Sequence, residues 1–418
     1  MKNEYHLENL PRLVYFGDVP AESTTHGSAQ IYRLLESYPV DRLLVMETPP
    51  PTCSRSERRL PAVPYHRFPI TGNRWRFTRF NWAARFTNSW MLSSTSRYAN
   101  HLCRLLDRFA PEAVLTVTHA YSWLVAAEFA ESQNVPLHLV LHDDWPAKTM
   151  PVFPWLRSRQ EYLFSRAYRL ASSRLCISPF MEEYYRSRYG FAGRVLYPSR
   201  AKHLLPLKGI PRAYSDHRSP LVGAFAGNIG EGSAPLIAAL AERLERRGGR
   251  LLLFGPQSRQ TLQSWGLERK NILPQGLVSF QEFISRLRSE ADFAFVPMSF
   301  QTVAVEQNAR ISFPSKIADY TSAGLPLLIC GPEYCSAIRW AQRYPGLAAA
   351  VTSSAPGKLD AVLAQLEIAE YREAIGRSAS EIGERLFSYS TARDTFYEAL
   401  ISATTLNNEH CPTAPSTC

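Results

Sequence analysis

Leu221-Val222-Gly223-Ala224-Phe225-Ala226-Gly227-Asn228-Ile229-Gly230-Glu231-Gly232-Ser233 decides the fold. A continuous apolar run enters a glycine-rich turn, and the helix-like stretch Ala234–Arg246 follows. Strand, turn and helix in that order are the repeating piece of a parallel α/β sheet. Apolar residues that run on without alternating suit a strand covered on both faces. The same unit recurs on either side. Upstream stand Leu13–Phe16, with the helical segment Ala29–Ser37, then Leu43–Met46, Val114–Val117, Leu137–Leu141, Leu175–Ile177 and Val195–Tyr197. Downstream stand Leu251–Gly255, Phe293–Pro297 and Leu327–Gly331. Between the two series, Pro198–Pro220 is rich in Pro, Lys, Arg and Ser and reads as a linker. The sequence therefore predicts an α/β protein of two doubly wound parallel-sheet, Rossmann-like domains facing across a cleft, at 1–200 and 221–385, joined by a linker at 201–220.

Composition agrees. The 418 residues are 45% hydrophobic, enough for two or three cores at roughly 100–200 residues per domain. No stretch approaches about 18 uninterrupted apolar residues, which excludes a transmembrane helix. Met1–Glu8 has no apolar run after Lys2, which speaks against a secretory signal. The seven cysteines, Cys53, Cys103, Cys176, Cys330, Cys335, Cys411 and Cys418, are scattered without a C-x-x-C pair. That argues against a disulfide framework or a zinc site and for a reducing cytoplasm. Cys176 and Cys330 lie in apolar runs and read as inert core residues.

The charge is local. Between 51 and 100 there are nine arginines and a single acid, Glu57, which accounts for most of the net +10. Within this insert, Asn73-Arg74-Trp75-Arg76-Phe77-Thr78-Arg79-Phe80-Asn81-Trp82-Ala83-Ala84-Arg85-Phe86 interleaves arginines with aromatics. Trp75, Arg79, Trp82 and Phe86 fall at helical spacing. Such a strip suits a membrane surface or an isoprenoid-diphosphate acceptor. It equally suits a helix that packs Trp and Phe inward behind a solvated arginine face. Nucleic acid could use the same chemistry, but no nucleic-acid motif accompanies it and the remaining charge is balanced.

Ligands bind such sheets at the carboxyl ends of the strands, which singles out three loops. In Phe225–Ser233, Gly227, Gly230 and Gly232 either make a tight βα turn or let N–H groups approach an anion at the helix start. In Phe313-Pro314-Ser315-Lys316-Ile317-Ala318-Asp319-Tyr320-Thr321-Ser322-Ala323-Gly324-Leu325-Pro326, Pro314 suits a first helical turn and Gly324 a C-cap. Lys316 and Asp319 share one helix face. They are either a surface ion pair or a cation and a carboxylate set to hold a diphosphate and a ribose diol. In Val140-Leu141-His142-Asp143-Asp144-Trp145-Pro146, a buried strand delivers His142 and Asp143 or Asp144 to the cleft, as hydroxyl contacts and base or as a satisfied histidine and a cap. His119 ends a neighbouring strand in the same way.

These motifs resemble GT-B glycosyltransferases, especially the large retaining family 4. Pro314-Ser315-Lys316-Ile317-Ala318-Asp319-Tyr320 with Ala323-Gly324-Leu325-Pro326 is similar to that family's donor-site helix. Phe225–Gly232, Ile272–Phe280 with Gly276, and Ala291–Pro297 resemble its glycine turn, its loop and its strand in the same order. In the first half, Gly27-Ser28 resembles the acceptor loop, His142-Asp143 the "HD" after a strand, and Arg174–Ser178 with Met181-Glu182 a further segment. Phe387-Ser388-Tyr389 is similar to the point where the family's chain crosses back, so 386–407 is expected to be that helix and 408–418 a tail.

The resemblance implies a donor site of Gly227, Asn228, Gly230, Gly232, Gly255, Gly276, Arg310, Ser315, Lys316 and Asp319, with Asp319 on the ribose and Lys316 on the diphosphate. It implies His142 and Asp143 as catalytic residues, and Gly27, Ser28, Arg74, Arg76 and Arg79 on the acceptor side. It implies neither metal nor cofactor beyond the nucleotide-sugar substrate. In this chain Asp319 stands for the family's second glutamate, and Ile311 stands where the first would be. The usual Arg and Lys after the first strand are missing, so Arg310 or Lys316 substitutes, and Glu306 in the long loop 298–312 faces the sugar. The expected activity is transfer of a sugar from a nucleotide diphosphate to a cell-surface polysaccharide or lipid-linked acceptor, with retention, at the inner face of a membrane. A non-catalytic partner of the same fold and a sugar-nucleotide 2-epimerase are the alternatives.

Overall fold

The computed structural model describes residues 7–23, 26–48, 56–69, 81–145, 152–202, 209–215, 220–300 and 303–409. They form two compact units, one running to Tyr197 and resuming at Ala392, the other spanning Pro198–Thr391.

The first unit holds β1 (Leu13–Gly17), β2 (Leu43–Glu47), β3 (Tyr65–Arg67), β4 (Ala113–Val117), β5 (Leu137–Leu141), β6 (Ser173–Cys176) and β7 (Arg194–Val195). They lie in the order β3-β2-β1-β4-β5-β6-β7, parallel throughout. Every residue of β1, β2, β4 and β5 is buried, which is why their sequences do not alternate. Leu13, Tyr15, Val45 and Leu115 pack against Leu34 and Leu35 of the helix His26–Leu35 and against Phe396, Tyr397 and Leu400. The last three belong to the helix Tyr389–Glu409, so this unit's core is completed by the end of the chain.

The second unit repeats the scheme with β8 (Val222–Ala226), β9 (Arg250–Phe254), β10 (Ile272–Gly276), β11 (Phe293–Pro297), β12 (Leu327–Cys330) and β13 (Ala348–Val351). Their order is β10-β9-β8-β11-β12-β13, again parallel. Phe225, Leu253, Phe293 and Phe295 from the sheet close on Ile237, Leu240 and Leu244 of the helix Ala234–Arg246. In each sheet the order reverses once, between β1 and β4 and between β8 and β11. The loops leaving the strands at such a reversal are where doubly wound sheets bind ligands. The α/β class and doubly wound sheets expected from the sequence are present.

Several local expectations need correction. Residues 209–215 of the expected linker are packed structure: Arg212–Tyr214 forms a 3-10 turn and Ala213 is fully buried. The Arg372 guanidinium donates to the Ala213 carbonyl at 2.7 Å, and the Tyr214 hydroxyl donates to the Gly324 carbonyl at 2.7 Å. The supposed long loop 298–312 contains the helix Val303–Ile311. That run has neither glycine nor proline to stop it before Pro314. Asn408 and Glu409, given to the tail, finish the last helix. Trp82 and Phe86 on the helix Asn81–Ser93 are 75% and 61% exposed, so they do not pack inward. Arg74, Arg76 and Arg79 lie outside the described residues. Cys176 and Cys330 are buried, and burial raises both thiol pKa values, that of Cys330 to about 12.

Candidate functional site

From the reversal of the second sheet outward to its β10 edge, three neighbouring strand ends are glycines joined by backbone bonds. Gly227 N–H donates to the Phe254 carbonyl at 2.9 Å, and Gly255 N–H to the Gly276 carbonyl at 3.0 Å. A Cβ on Gly255 would lie 2.7 Å from the Gly227 carbonyl oxygen, so glycine is required there for close approach. The Gln257 amide donates to that same carbonyl. A Cβ on Gly232 would lie 2.9 Å from Ser299 Cβ, which brings the glycine turn after β8 against the loop after β11. Within the turn, Ser233 Oγ accepts from Gly230 N–H at 3.1 Å. Among the described residues, the N–H groups of Asn228, Ile229, Glu231 and Gly232 meet no protein acceptor. Together with the start of the helix Ala234–Arg246 they form a bed of donors suited to an anion.

The helix Lys316–Ala323 is aimed at the same strand end. Pro314 lies outside the helix and not in its first turn as expected, because the helix begins after an N-cap at Ser315; Gly324, at φ +71°, takes the C-cap place the sequence anticipated. Tyr320 is fully buried, and its hydroxyl oxygen accepts from Ala226 N–H at 2.7 Å. This ties the helix to the last residue of β8. Lys316 Nζ stands 4.1 Å from the Phe225 ring centroid. Burial lowers its pKa to about 8, and no neighbouring acid opposes the shift. Lys316 and Asp319 thus share a helix face without forming an ion pair, and the surface-ion-pair reading does not hold. Among the described residues no carboxylate meets the ammonium. Asp319 is half-buried, and the Arg200 guanidinium feels its charge. Arg200 itself is buried, donating to Thr321 Oγ1 at 3.2 Å and to the Ser380 carbonyl at 3.3 Å, and pairing with Glu384.

Arg310 does not offer a free guanidinium. Its Nε donates to Glu306 Oε1 at 3.0 Å one helical turn away, and its guanidinium carbon lies 4.4 Å from the centroid of the Tyr334 ring. Glu306 is therefore engaged by Arg310. Asn228 and Gly230 are exposed.

In the first unit, β5 delivers His142 beside Gly27, where a Cβ would lie 3.8 Å from His142 Nδ1. Ser28, the next residue, is buried. Burial lowers the His142 pKa to about 4, with Asp143 opposing and His119 reinforcing the shift. The imidazole is therefore neutral at ordinary pH. Its Nε2 is buried without a hydrogen-bond partner, an arrangement that costs free energy unless a ligand supplies the bond. Asp144 is taken by the Tyr185 hydroxyl at 3.0 Å and has a structural role. Asp18, past the end of β1, accepts from the N–H groups of Tyr121 and Ser122 at 3.1 and 2.7 Å. It thus fixes the start of the helix Ser122–Gln133 at the reversal of this sheet.

The structure thus gathers Gly227, Gly232, Ser315 and Lys316 at one switch point, with Gly255 and Gly276 continuing the row of strand ends away from it, and Gly27, Ser28, His142 and Asp143 at the other. Sequence reasoning missed Tyr320, Gln257, Arg200 and Asp18. Tyr320 sits inside the quoted motif and was readable there. The others act over separations such as the 121 residues between Arg200 and Thr321, for which no local pattern exists.

Comparison with known proteins follows this division. Residues 30–198 match the glycosyl transferase 4-like domain. No curated protein sequence is detectably similar to the chain. HepE of Anabaena, solved with UDP and glucose, is 15% identical, covering 93% of this chain and 99% of that one at a TM-score of 0.62. Sucrose-phosphate synthase of Thermosynechococcus elongatus is 13% identical, covering 94% and 99% at 0.66. The lipopolysaccharide outer core galactosyltransferase WaaB is 15% identical, covering 94% and 99% at 0.56. At such identities the likeness is one of fold, and the chain has the two-domain GT-B fold of these glycosyltransferase structures.

Proposed function

We propose that the protein is a glycosyltransferase that moves a sugar from a nucleoside diphosphate to a saccharide or lipid-linked acceptor at the cytoplasmic face of a membrane. The observation that carries this is Lys316, a desolvated ammonium without a carboxylate partner among the described residues, beside unpaired N–H groups at a sheet reversal. A diphosphate supplies what both lack. The UDP and UDP-glucose bound to HepE of Anabaena make uracil the first base to test.

In this reading Lys316 and the Asn228–Gly232 N–H groups hold the diphosphate. They stabilise the charge that develops as the bond from the anomeric carbon to the phosphate oxygen breaks. Asp319 accepts from the ribose hydroxyls, and Tyr320 and Arg200 keep its helix in place. Neutral His142 makes one hydrogen bond to a sugar hydroxyl through Nε2, beside Asp143. The acceptor hydroxyl attacks the anomeric carbon on the face the diphosphate leaves. Its proton passes to the departing phosphate oxygen, so configuration is retained. The nucleotide sugar is substrate, and no further cofactor enters.

Ile311, buried where a carboxylate would stand, favours one second reading: a protein that binds the nucleotide without turnover. Calorimetry against UDP, GDP, ADP and their sugar conjugates tests the binding common to both. Release of nucleotide from the bound sugar donor then separates transferase from silent binder. Failure to bind any of them refutes the proposal.

A further inference from the structure

The helix Asn81–Ser93 packs its smaller side chains inward and leaves its rings outside. Ala83, Ala84, Thr87, Asn88, Ser89, Met91 and Leu92 are buried, whereas Trp82, Phe86 and Trp90 are 75%, 61% and 46% exposed. Four-residue spacing sets these rings in one row along the helix. Among the described residues, no hydrogen bond or ring contact engages any of them. A third exposed indole adjoins the row. Trp155, 74% exposed, stacks on Phe153 with centroids 4.7 Å apart, and Phe153 N–H donates to Ser89 Oγ of the same helix at 3.3 Å. Arg85 on this helix, and Arg157 and Arg159 on the helix Arg157–Leu170 that follows Trp155, are exposed. The helix also lies within the stretch 51–100, where nine arginines stand against one acid.

Water alone gives no reason to line up two indoles and a phenyl ring on the exposed face of one helix. One environment satisfies both the rings and the charge. At the headgroup level of an anionic bilayer, tryptophan finds an apolar floor with a wet rim, and arginine finds phosphate. A helix lying in that plane buries the row of rings and leaves its other face on the protein. A second copy of this chain fits less well, since two such faces would bring like charges together. We propose that the row Trp82, Phe86 and Trp90, with Trp155 and the flanking arginines, is the surface by which this protein docks on an anionic membrane. This rests on the membrane-side location proposed above and assigns it to named residues.

The test is co-sedimentation of the full chain with vesicles of phosphatidylglycerol and phosphatidylethanolamine, and with neutral phosphatidylcholine vesicles. Wild type is expected on the anionic vesicles only. The Trp82→Ser/Phe86→Ser/Trp90→Ser variant is expected to lose about tenfold or more of the partitioning. Arg85→Ala is expected to lose about fivefold. All these positions are exposed, so the nucleotide-induced thermal shift should be unchanged and reports both folding and the donor site. Vesicle binding that survives the triple substitution overturns the proposal, as does wild type that ignores anionic vesicles. Dimerisation or RNA binding abolished by the triple variant, with vesicle binding intact, also overturns it by naming another occupant. A missing nucleotide shift with substitution-sensitive vesicle binding would instead refute the transferase and leave this surface standing.

Discussion

Replacing Lys316 by methionine should make the protein more stable and less able to bind nucleotide. The pKa of Lys316 falls from the ordinary 10.5 to about 8 because burial penalises its charged form. At about 1.4 kcal/mol per unit, the shift taken whole is on the order of 3 kcal/mol of destabilisation, which solvent screening at a partly exposed site reduces to about 1–2 kcal/mol. Methionine keeps an unbranched apolar stem and a favourable contact with the Phe225 ring, offsetting much of the ~0.5–1 kcal/mol cation–π interaction lost. A net gain near 1 kcal/mol raises the melting temperature of the second unit by roughly 3 °C. Because the folded pKa is depressed, the cost of the lysine is fully present below pH 8 and is relieved as pH climbs toward 10.5. The stability advantage of Lys316→Met should therefore shrink between pH 7 and pH 9.5. Binding moves the other way. Losing a charge-assisted bond to the diphosphate costs about 1.5–3 kcal/mol, or about 10- to 100-fold in affinity. In wild type, an anion that requires the ammonium should bind about tenfold more weakly at pH 9 than at pH 7, and Lys316→Met should flatten that dependence. Differential scanning calorimetry and isothermal titration with UDP at the two pH values measure all of this. A variant that melts lower, or keeps wild-type affinity, would refute the assignment of Lys316 to the diphosphate.

Four further expectations follow from single contacts. Asp319→Asn should weaken UDP by about 10-fold or more, as expected for a lost bond to a charged group. Calorimetry with a dideoxy nucleotide should then show no additional loss in the variant, and an additive loss would place the ribose elsewhere. Tyr320→Phe removes the acceptor of the half-buried Ala226 N–H, so denaturant unfolding should show a loss of about 1 kcal/mol, and an unchanged midpoint contradicts the tie. Gly255→Ala drives a Cβ into the Gly227 carbonyl, so the variant should melt lower and lose nucleotide binding, and wild-type behaviour in both would exclude the glycine row from the site. The His142 pKa, depressed from 6.5 to about 4, makes the unfolded chain the better proton binder between those values. Stability should therefore fall as pH drops from 6.5 to 4, and His142→Asn should shed up to one proton from that slope. An identical slope in the variant would show that His142 titrates normally.

The sequence made the central strands legible and left three of the four sheet edges obscure, all but β7. β1, β2, β4, β5, β8, β9, β11 and β12 are apolar throughout or nearly so, because helices cover both their faces. β3, β10 and β13 escaped notice, and all three are sheet edges. Tyr65–Arg67 is largely exposed. Ile272–Gly276 alternates in burial and carries Pro274, which an edge tolerates because one side needs no donor. Ala348–Val351 is mostly alanine and has little β-propensity of its own. The helix Asn81–Ser93 misled for another reason. Spacing shows that Trp82 and Phe86 share a face, but not which face meets the core, and here Ala83, Ala84, Met91 and Leu92 took the inside together with Thr87, Asn88 and Ser89.

The same division runs through the candidate sites and has a consequence for mutation. The residues expected to touch ligand lie in short local motifs: Gly227 to Gly232, Ser315 to Asp319, and His142 with Asp143. The residues that hold them are remote in sequence. Tyr320 reaches back 94 residues to Ala226, Arg200 reaches forward 121 to Thr321, and Asp18 reaches forward 104 to Ser122. A local motif can be read because one backbone geometry dictates its spacing, whereas a remote clamp only has to supply the right group from wherever the fold brings it. Substitution of a clamp should therefore lower stability and ligand affinity together, since the site loosens as a whole. Lys316 should separate the two, because its charge is strained in the empty site and satisfied only by the ligand. Opposite signs of the two effects mark a ligand-facing group, and equal signs mark the scaffold behind it.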